Sequence, residues 1–577
     1  MENLKYHEII NLNNKLIKTK DNSSTNIVVL SNIIINQLKE ILEYSLNSSG
    51  LNCIVEVGNY DNIVQDSSNK NNDVVILFWE ICNLIDGFHY EIESFDDKKF
   101  EEILLNTKLE IDLVLSNLKN TPLVIFNKFS AKPFASNYIH SSRLDSFTNQ
   151  LNDYLITKIS KNIILFEPDN IIINLGLAKT IDFRNYHTSK ALYKIDFFKN
   201  YVTLLKPFIS SFKGKYKKAV IFDCDNTLWG GILGEDGFDN IKMSKQDKVG
   251  SIFHEVQKMA VVLNKRGVLI GLCSKNNEED VQYVLDNHKD MFISDENISI
   301  KKINWKDKAS NLKEISEELN IGLDSLVFID DSSFEVNLIR DIYPQIDVIQ
   351  VPQKLYNYPN ILRTKISKFY SPSLTKEDIK RVKMYKDQVI RNNSKKTFTN
   401  IEEYLDSLDI QIEIYENNIS HIPRISQLTQ KTNQFNLTTK RYSEVEINDF
   451  IKSNHLIYSL SVSDKFGDNG ITGICVVLID KLNRKATIDT FLLSCRIIGR
   501  NIEKSFMNII INELKNNKII DLTASYIKTL KNSQVEKFYS NLGFTLKMKN
   551  ENITTYELNI AKYITKDTKN IKIINHG

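Results

Sequence analysis

An apolar run that stops at two aspartates one residue apart, Val220-Ile221-Phe222-Asp223-Cys224-Asp225-Asn226-Thr227-Leu228-Trp229-Gly230-Gly231, constrains this chain more than any other stretch. A buried parallel strand reads as a continuous apolar run, and at its C-terminal edge the backbone leaves the sheet and turns outward. Two carboxylates set there can approach one Mg²⁺ or one phosphoryl group together. Asp223 is placed to attack phosphorus and form an aspartyl-phosphate, which divides one difficult displacement into two easier ones. Asp225 is placed to handle protons for the leaving group and the incoming nucleophile. An Asx turn after a buried strand gives the same local pattern, so the rest of the chain must decide between the two.

Two later runs supply what such a site lacks. Gly267-Val268-Leu269-Ile270-Gly271-Leu272-Cys273-Ser274-Lys275-Asn276 ends in a hydroxyl, an ammonium and an amide, all suited to phosphate oxygens. Ser325-Leu326-Val327-Phe328-Ile329-Asp330-Asp331-Ser332 ends in a second carboxylate pair, and Asp223 with Asp330 or Asp331 gives Mg²⁺ the hard oxygen ligands it requires. Between them, in Trp305-Lys306-Asp307-Lys308-Ala309-Ser310-Asn311, Lys308 is predicted to open a helix facing the site and to neutralise phosphoryl charge, with Lys306 as its close competitor.

In this order the three strand-end clusters and the intervening lysine resemble the haloacid dehalogenase superfamily of aspartate-nucleophile phosphotransferases. The resemblance implies that Asp223 is nucleophile and metal ligand, Asp225 the acid/base and a further metal-site carboxylate, and Asp330 and Asp331 the remaining metal-site carboxylates. It implies that Thr227, Ser274, Lys275, Asn276 and Lys308 hold phosphate. Between Thr227 and Ser274 there is room only for a Gly-rich hairpin at 230–237 and one helix around Val249 to Arg266, so no cap domain is expected. Asn226-Thr227-Leu228-Trp229-Gly230-Gly231 followed by Gly234-Glu235-Asp236-Gly237 is similar to the FkbH-type branch. That resemblance implies dephosphorylation of 1,3-bisphosphoglycerate and placement of the glyceryl unit on the phosphopantetheine thiol of an acyl carrier protein.

With 577 residues the chain exceeds one hydrophobic core, and several domains are expected: 1–212, 213–370, a helical connector at 371–395, and 396–577. Basic residues number 74 and acidic ones 72, a net charge of +2 with both signs interspersed, which gives no reason to expect nucleic acid. No apolar run is long enough to span a bilayer and the N-terminus lacks a signal-peptide pattern, so a cytoplasmic protein is expected. Six cysteines lack zinc or disulfide spacing. Cys224 and Cys273 adjoin the proposed phosphate site and Cys495 adjoins Arg496; any of the three is a candidate for a thioester, and packing is the alternative for each.

Upstream, apolar runs at 26–32, 73–79, 121–126 and 162–166 alternate with helix-like stretches, the pattern of a parallel α/β layer. This region resembles a degenerate SGNH-hydrolase fold, with Ser31 at the nucleophile's place and Asp182 to His187 as a loose acid–histidine block. The motif that normally surrounds the nucleophile is missing, so a recognition or docking role is expected. Downstream, Gln430 to Tyr442 is dense in amides and hydroxyls, either a capped loop or a polar wall for a ligand. Gly467-Asp468-Asn469-Gly470 is predicted to reverse the chain between two strands. Strand 487–495, the turn Arg496-Ile497-Ile498-Gly499-Arg500-Asn501, its helix and Asn532 to Phe544 resemble the GCN5-related N-acetyltransferase (GNAT) fold. That likeness implies that Arg496, Gly499, Arg500, Asn501 and Asn532 bind an acyl or pantetheine group and that Tyr539 protonates the departing thiolate.

The expected architecture is therefore multidomain α/β: a central Rossmannoid parallel sheet, an N-terminal SGNH-like α/β domain and a C-terminal GNAT-like α+β domain. The expected reaction uses Mg²⁺ and a small acyl phosphate, with a carrier protein's phosphopantetheine arm as acceptor. A plain Mg²⁺-dependent phosphatase and a non-catalytic carrier-protein scaffold are the alternatives.

Overall fold

The computed structural model describes residues 4–17, 24–69, 72–135, 142–370, 381–395, 398, 400–529, 531–565 and 571–576. The chain forms two compact units, Met1–Lys213 and Gly214–Gly577. Residues 371–380, the start of the expected connector, lie outside the described residues.

The first unit is built on five parallel strands, β1 (Thr25–Ser31), β2 (Cys53–Val57), β3 (Val74–Phe78), β4 (Leu123–Asn127) and β5 (Ile163–Phe166), in the order β2-β1-β3-β4-β5. Alternate residues of β1 enter opposite cores. Ile27 and Val29 pack with helices Asn36–Asn47 and Ile195–Phe212, whereas Val28 and Leu30 share a core with residues of helices Asp97–Asn117 and Arg143–Thr157. Burial on both faces is why these strands read as unbroken apolar runs.

The second unit holds two sheets. The parallel one comprises β6 (Ala219–Phe222), β7 (Leu269–Ser274), β8 (Ile298–Ile303), β9 (Leu326–Asp330) and β10 (Asp347–Gln350), ordered β10-β9-β6-β7-β8. Val220 and Phe222 pack on one side with helix Gly250–Lys265. Ala219 and Ile221 pack on the other with helix Lys308–Glu318. Between β6 and β7 there are only two isolated bridges, Asp225 to Trp229 and Gly230 to Lys242, a one-turn helix Leu233–Asp236 and the long helix, so the expected hairpin is a short helical loop and no cap domain is inserted.

The other sheet contains β11 (Ile410–Glu416), β12 (Phe435–Asn436), β13 (Leu456–Asp464), β14 (Gly467–Asp480), β15 (Lys485–Leu493), β16 (Asp521–Ile527), β17 (Thr545–Lys549), β18 (Ile553–Asn559) and β19 (Ile571–Asn575). The order is β17-β18-β16-β15-β14-β13-β11-β19, with β12 added to β15. The β13–β14 reversal falls at Lys465 and Phe466, earlier than the expected Gly467–Gly470. Asp464 pairs directly with Gly467, and the glycine-rich stretch lies within β14, where the register shifts.

Candidate phosphotransfer site

The C-terminal ends of β6, β7 and β9 are adjacent in the sheet, which is what brings the three clusters together. Asp223, Asp330 and Asp331 each offer an oxygen within 4.8 Å of the others. Lys308 opens its helix after the N-cap Asp307, whose side chain accepts from the Ser310 amide. Its Nζ donates to Asp330 Oδ2 at 2.6 Å and lies 3.1 Å from Asp223 Oδ1. Lys306, by contrast, is largely exposed and stands 3.7 Å from Glu314, outside the site.

Burial sets the electrostatics. It pushes the Asp223 carboxyl up to about 6, with Lys308 opposing the rise and Asp330 adding to it. Asp330 and Asp331 are raised in the same direction, again chiefly by burial. For Lys308 burial acts downward, but the two carboxylates outweigh it and hold the ammonium above its ordinary value. Two buried carboxylates and the half-buried Asp331 around one lysine leave excess negative charge. Beyond the Lys308 ammonium, Asp223 Oδ1 has no partner among the described residues, and Thr227 Oγ1 is buried without a hydrogen bond. This hard-oxygen set fits Mg²⁺, and Asp223, Asp330 and Asp331 are the residues that would hold it.

Asp225 stands apart from that group. Its Oδ1 accepts from Trp229 Nε1 at 2.9 Å and the Leu233 amide at 3.0 Å, and its Oδ2 from Asn276 Nδ2 at 2.9 Å. A carboxylate so engaged is fixed in place by three donors and lies outside the Asp223–Asp330–Asp331 group with which the sequence reading places it. Asn276 also donates to Ser274 Oγ at 3.2 Å, so the end of β7 reaches the site as expected. Lys275 turns to Glu335, 2.7 Å away.

The cysteines separate clearly. Cys224 and Cys273 are fully buried in the cores on opposite faces of the parallel sheet, where burial raises both thiols and makes them poor nucleophiles. Of all six, Cys495 alone is partly exposed. Its carbonyl accepts from Asn320 Nδ2 at 2.6 Å, a link from the C-terminal sheet to the residue just beyond the Lys308 helix.

The residues expected to bind pantetheine have other partners. Arg496 is buried, with one guanidinium nitrogen against Met384 Sδ, and Arg500 bonds Asp464, Gln388 and the Arg496 carbonyl. Arg391 reaches the same Asp464 at 2.8 Å, so these side chains fasten helix Arg381–Lys395 to the β13–β14 hairpin. Gly499 (φ +80°) and Asn501 (φ +60°) shape the turn before helix Ile502–Asn516, and the Asn501 side chain caps nothing.

Where β15 and β16 stop pairing after Ile488–Ala524, the chain's own Phe435–Leu437 enters between them. It pairs with Leu492 and Leu493, accepts at the Leu437 carbonyl from the Ile527 amide, and is clamped by Asn532 Nδ2 on the Asn436 carbonyl at 2.9 Å. Asn436 and Arg441 likewise bond neighbouring backbone, so the 430–442 segment is a capped loop more than a polar wall. Tyr539 is wholly buried and its hydroxyl has no partner among the described residues.

In the first unit Ser31 Oγ accepts from the Ile33 amide, Asp182 caps helix Phe183–Ser189, and His187 is exposed. The hydrogen-bonded cluster that sequence reading passed over lies nearby: Asn32 bridges to Glu80 and Asn83, and Tyr193 donates to Glu80 at 2.8 Å. Asn32 and Glu80 follow separate strands and Tyr193 lies between two helices, so nothing local in the sequence joins them.

These features define a multidomain α/β protein with a haloacid-dehalogenase-like fold. Among solved structures, the N-terminal part of a Bacteroides fragilis protein containing a phosphatase domain, complexed with Mg, aligns over 64% of this chain and 100% of its own, with 22% identity and a TM-score of 0.57. Shorter likenesses join the ribosomal-protein-S18-alanine N-acetyltransferase of Escherichia coli (13% identity, 28% of this chain and 97% of that one, TM-score 0.22) and an N-acetyltransferase of Staphylococcus aureus Mu50 (12%, 26% and 98%, 0.21). No family model matches the chain, and no curated protein does. Among the described residues no helix is long and apolar enough to cross a membrane.

Proposed function

We propose that the chain is a Mg²⁺-dependent phosphotransferase of FkbH type that removes phosphate from 1,3-bisphosphoglycerate and delivers the glyceryl group to the phosphopantetheine thiol of an acyl carrier protein. The observation that carries the phosphotransfer part is Lys308 set between Asp223 and Asp330 in a buried, carboxylate-rich strand end. Asp223 attacks phosphorus of the C3 phosphate ester, the P–O bond to the glyceryl oxygen breaks, and Asp225 gives that oxygen its proton. Water, losing a proton to Asp225, then releases phosphate from Asp223. Bound Mg²⁺ would supply charge neutralisation at the phosphoryl oxygens. The C1 acyl phosphate reacts at carbon: the carrier thiolate attacks the carbonyl, phosphate departs, and a thioester remains.

Intact-mass analysis of holo carrier proteins incubated with this protein, Mg²⁺ and 1,3-bisphosphoglycerate tests the reading. A glyceryl adduct that is lost with Asp223→Asn supports it. A plain phosphatase is the second reading, favoured by the engagement of Arg496, Arg500 and Asn532 within the fold; phosphate release without an adduct on any carrier would select it.

A further inference from the structure

Trp305 is 72% exposed although it lies three residues before the buried Lys308. It is not loose: its indole Nε1 donates to Asn277 Oδ1 at 3.1 Å. Asn277 follows Asn276, whose amide grips Asp225. The hydrogen bond therefore joins the loop after β8 to the loop after β7 at the sheet edge that carries the carboxylates. β8 is two strands from β6, roughly 10 Å at ordinary strand spacing, and the tether holds the indole to the loop after β7, the strand next to β6. Phe334, 68% exposed, follows Asp331 by three residues on the other side of β6. With no cap domain between β6 and β7, an exposed ring fixed at the open mouth has nothing from the intervening chain to cover it.

We propose that Trp305 is the specificity-determining contact of this site, packing its ring on the organic part of the phosphoryl donor while the phosphate occupies the buried centre. This rests on the phosphotransfer reading and adds to it the selection of donors with an organic group that reaches the rim. An indole held by a hydrogen bond at one end presents an apolar face at little further entropic cost.

The chain contains three tryptophans; Trp79 and Trp229 are buried at 5% and 0% exposure, and since Trp229 touches the site through Asp225, the emission change that reports Trp305 is the part lost in Trp305→Ala. The test is a fluorescence titration of the full chain with Mg²⁺ and either 1,3-bisphosphoglycerate or inorganic phosphate, beside steady-state phosphate release. The donor is expected to shift the emission saturably to shorter wavelength, inorganic phosphate to leave it in place, and Trp305→Ala to raise KM about tenfold with a much smaller change in kcat. Trp305→Phe, which keeps a ring, should recover part of the KM. Unchanged emission during turnover, or an unchanged KM in Trp305→Ala, overturns the proposal. An emission shift with no phosphate released from the donor would instead overturn the phosphotransfer reading and leave the contact standing.

Discussion

Lys308 Nζ sits 2.6 Å from Asp330 and 3.1 Å from Asp223, so one buried ammonium joins two strand ends whose carboxylates would otherwise repel. Lys308→Met removes that charge from beside two buried carboxylates. Both carboxyls should then retain protons at neutral pH, and phosphate release should fall by about a thousandfold or more. Stability should also drop, by about 3–5 kcal/mol, as expected when a buried ion pair loses one partner. Lys306→Met, at an exposed position, should alter the rate by less than about twofold. Steady-state phosphate release and urea denaturation of both variants distinguish the two lysines.

Glu80 gives the first unit a pH dependence. Burial, aided by Asp169 and opposed by the Tyr193 hydroxyl, raises its carboxyl from the ordinary 4.5 to about 7. A raised acid binds its proton more tightly in the folded state, so its contribution is fully present below about pH 4.5 and is lost as pH rises through 7. Glu80→Gln should therefore be more stable than the unaltered chain at pH 8, by about 3 kcal/mol for a shift of this size, and nearly equal to it at pH 4.5. Thermal melts of the two proteins across that range check it; a pH-independent difference between them would contradict the assignment.

Asp464 carries two arginines, Arg391 and Arg500, in a wholly buried network. Asp464→Asn leaves both guanidiniums without their countercharge and should cost about 3–5 kcal/mol. Chemical denaturation measures this. Were Arg500 reserved for a ligand, the variant would lose binding and keep its stability.

Asn532 makes the same distinction by a different route. Its amide donates to the Asn436 and Ile527 carbonyls and its oxygen accepts from the Thr529 amide. Asn532→Ala orphans these buried groups at about 1–3 kcal/mol each, partly offset by local relaxation. A lowered melting temperature before any acyl acceptor is added is the expected result.

The strand-end rule makes the gathering of Asp223, Asp330 and Asp331 legible in sequence. Each of Asp223, Ser274 and Asp330 closes an apolar run, and a parallel sheet allows such a run to end at only one edge. Lys308 was legible because Asp307 announces a helix start. What escaped sequence reading depends on distant partners. Arg496 and Arg500 look like phosphate ligands until Met384, Gln388 and Asp464 surround them, and Asn532 until Phe435–Leu437 enters the gap beside β15. The β13–β14 turn was misplaced because glycine marks a bulge as readily as a reversal. Asp225 was grouped with the metal ligands because spacing alone does not reveal that Trp229 and Asn276 hold its carboxylate.

In the proposed mechanism Asp223 accepts the phosphoryl group. The most direct measurement is peptide mass analysis after acid-quenching the protein during turnover of 1,3-bisphosphoglycerate with Mg²⁺. The account predicts one phosphoryl group on the peptide bearing Asp223, absent without Mg²⁺ and absent in Asp223→Asn. Turnover that continues undiminished in Asp223→Asn, or phosphoryl found on a different residue, would contradict it.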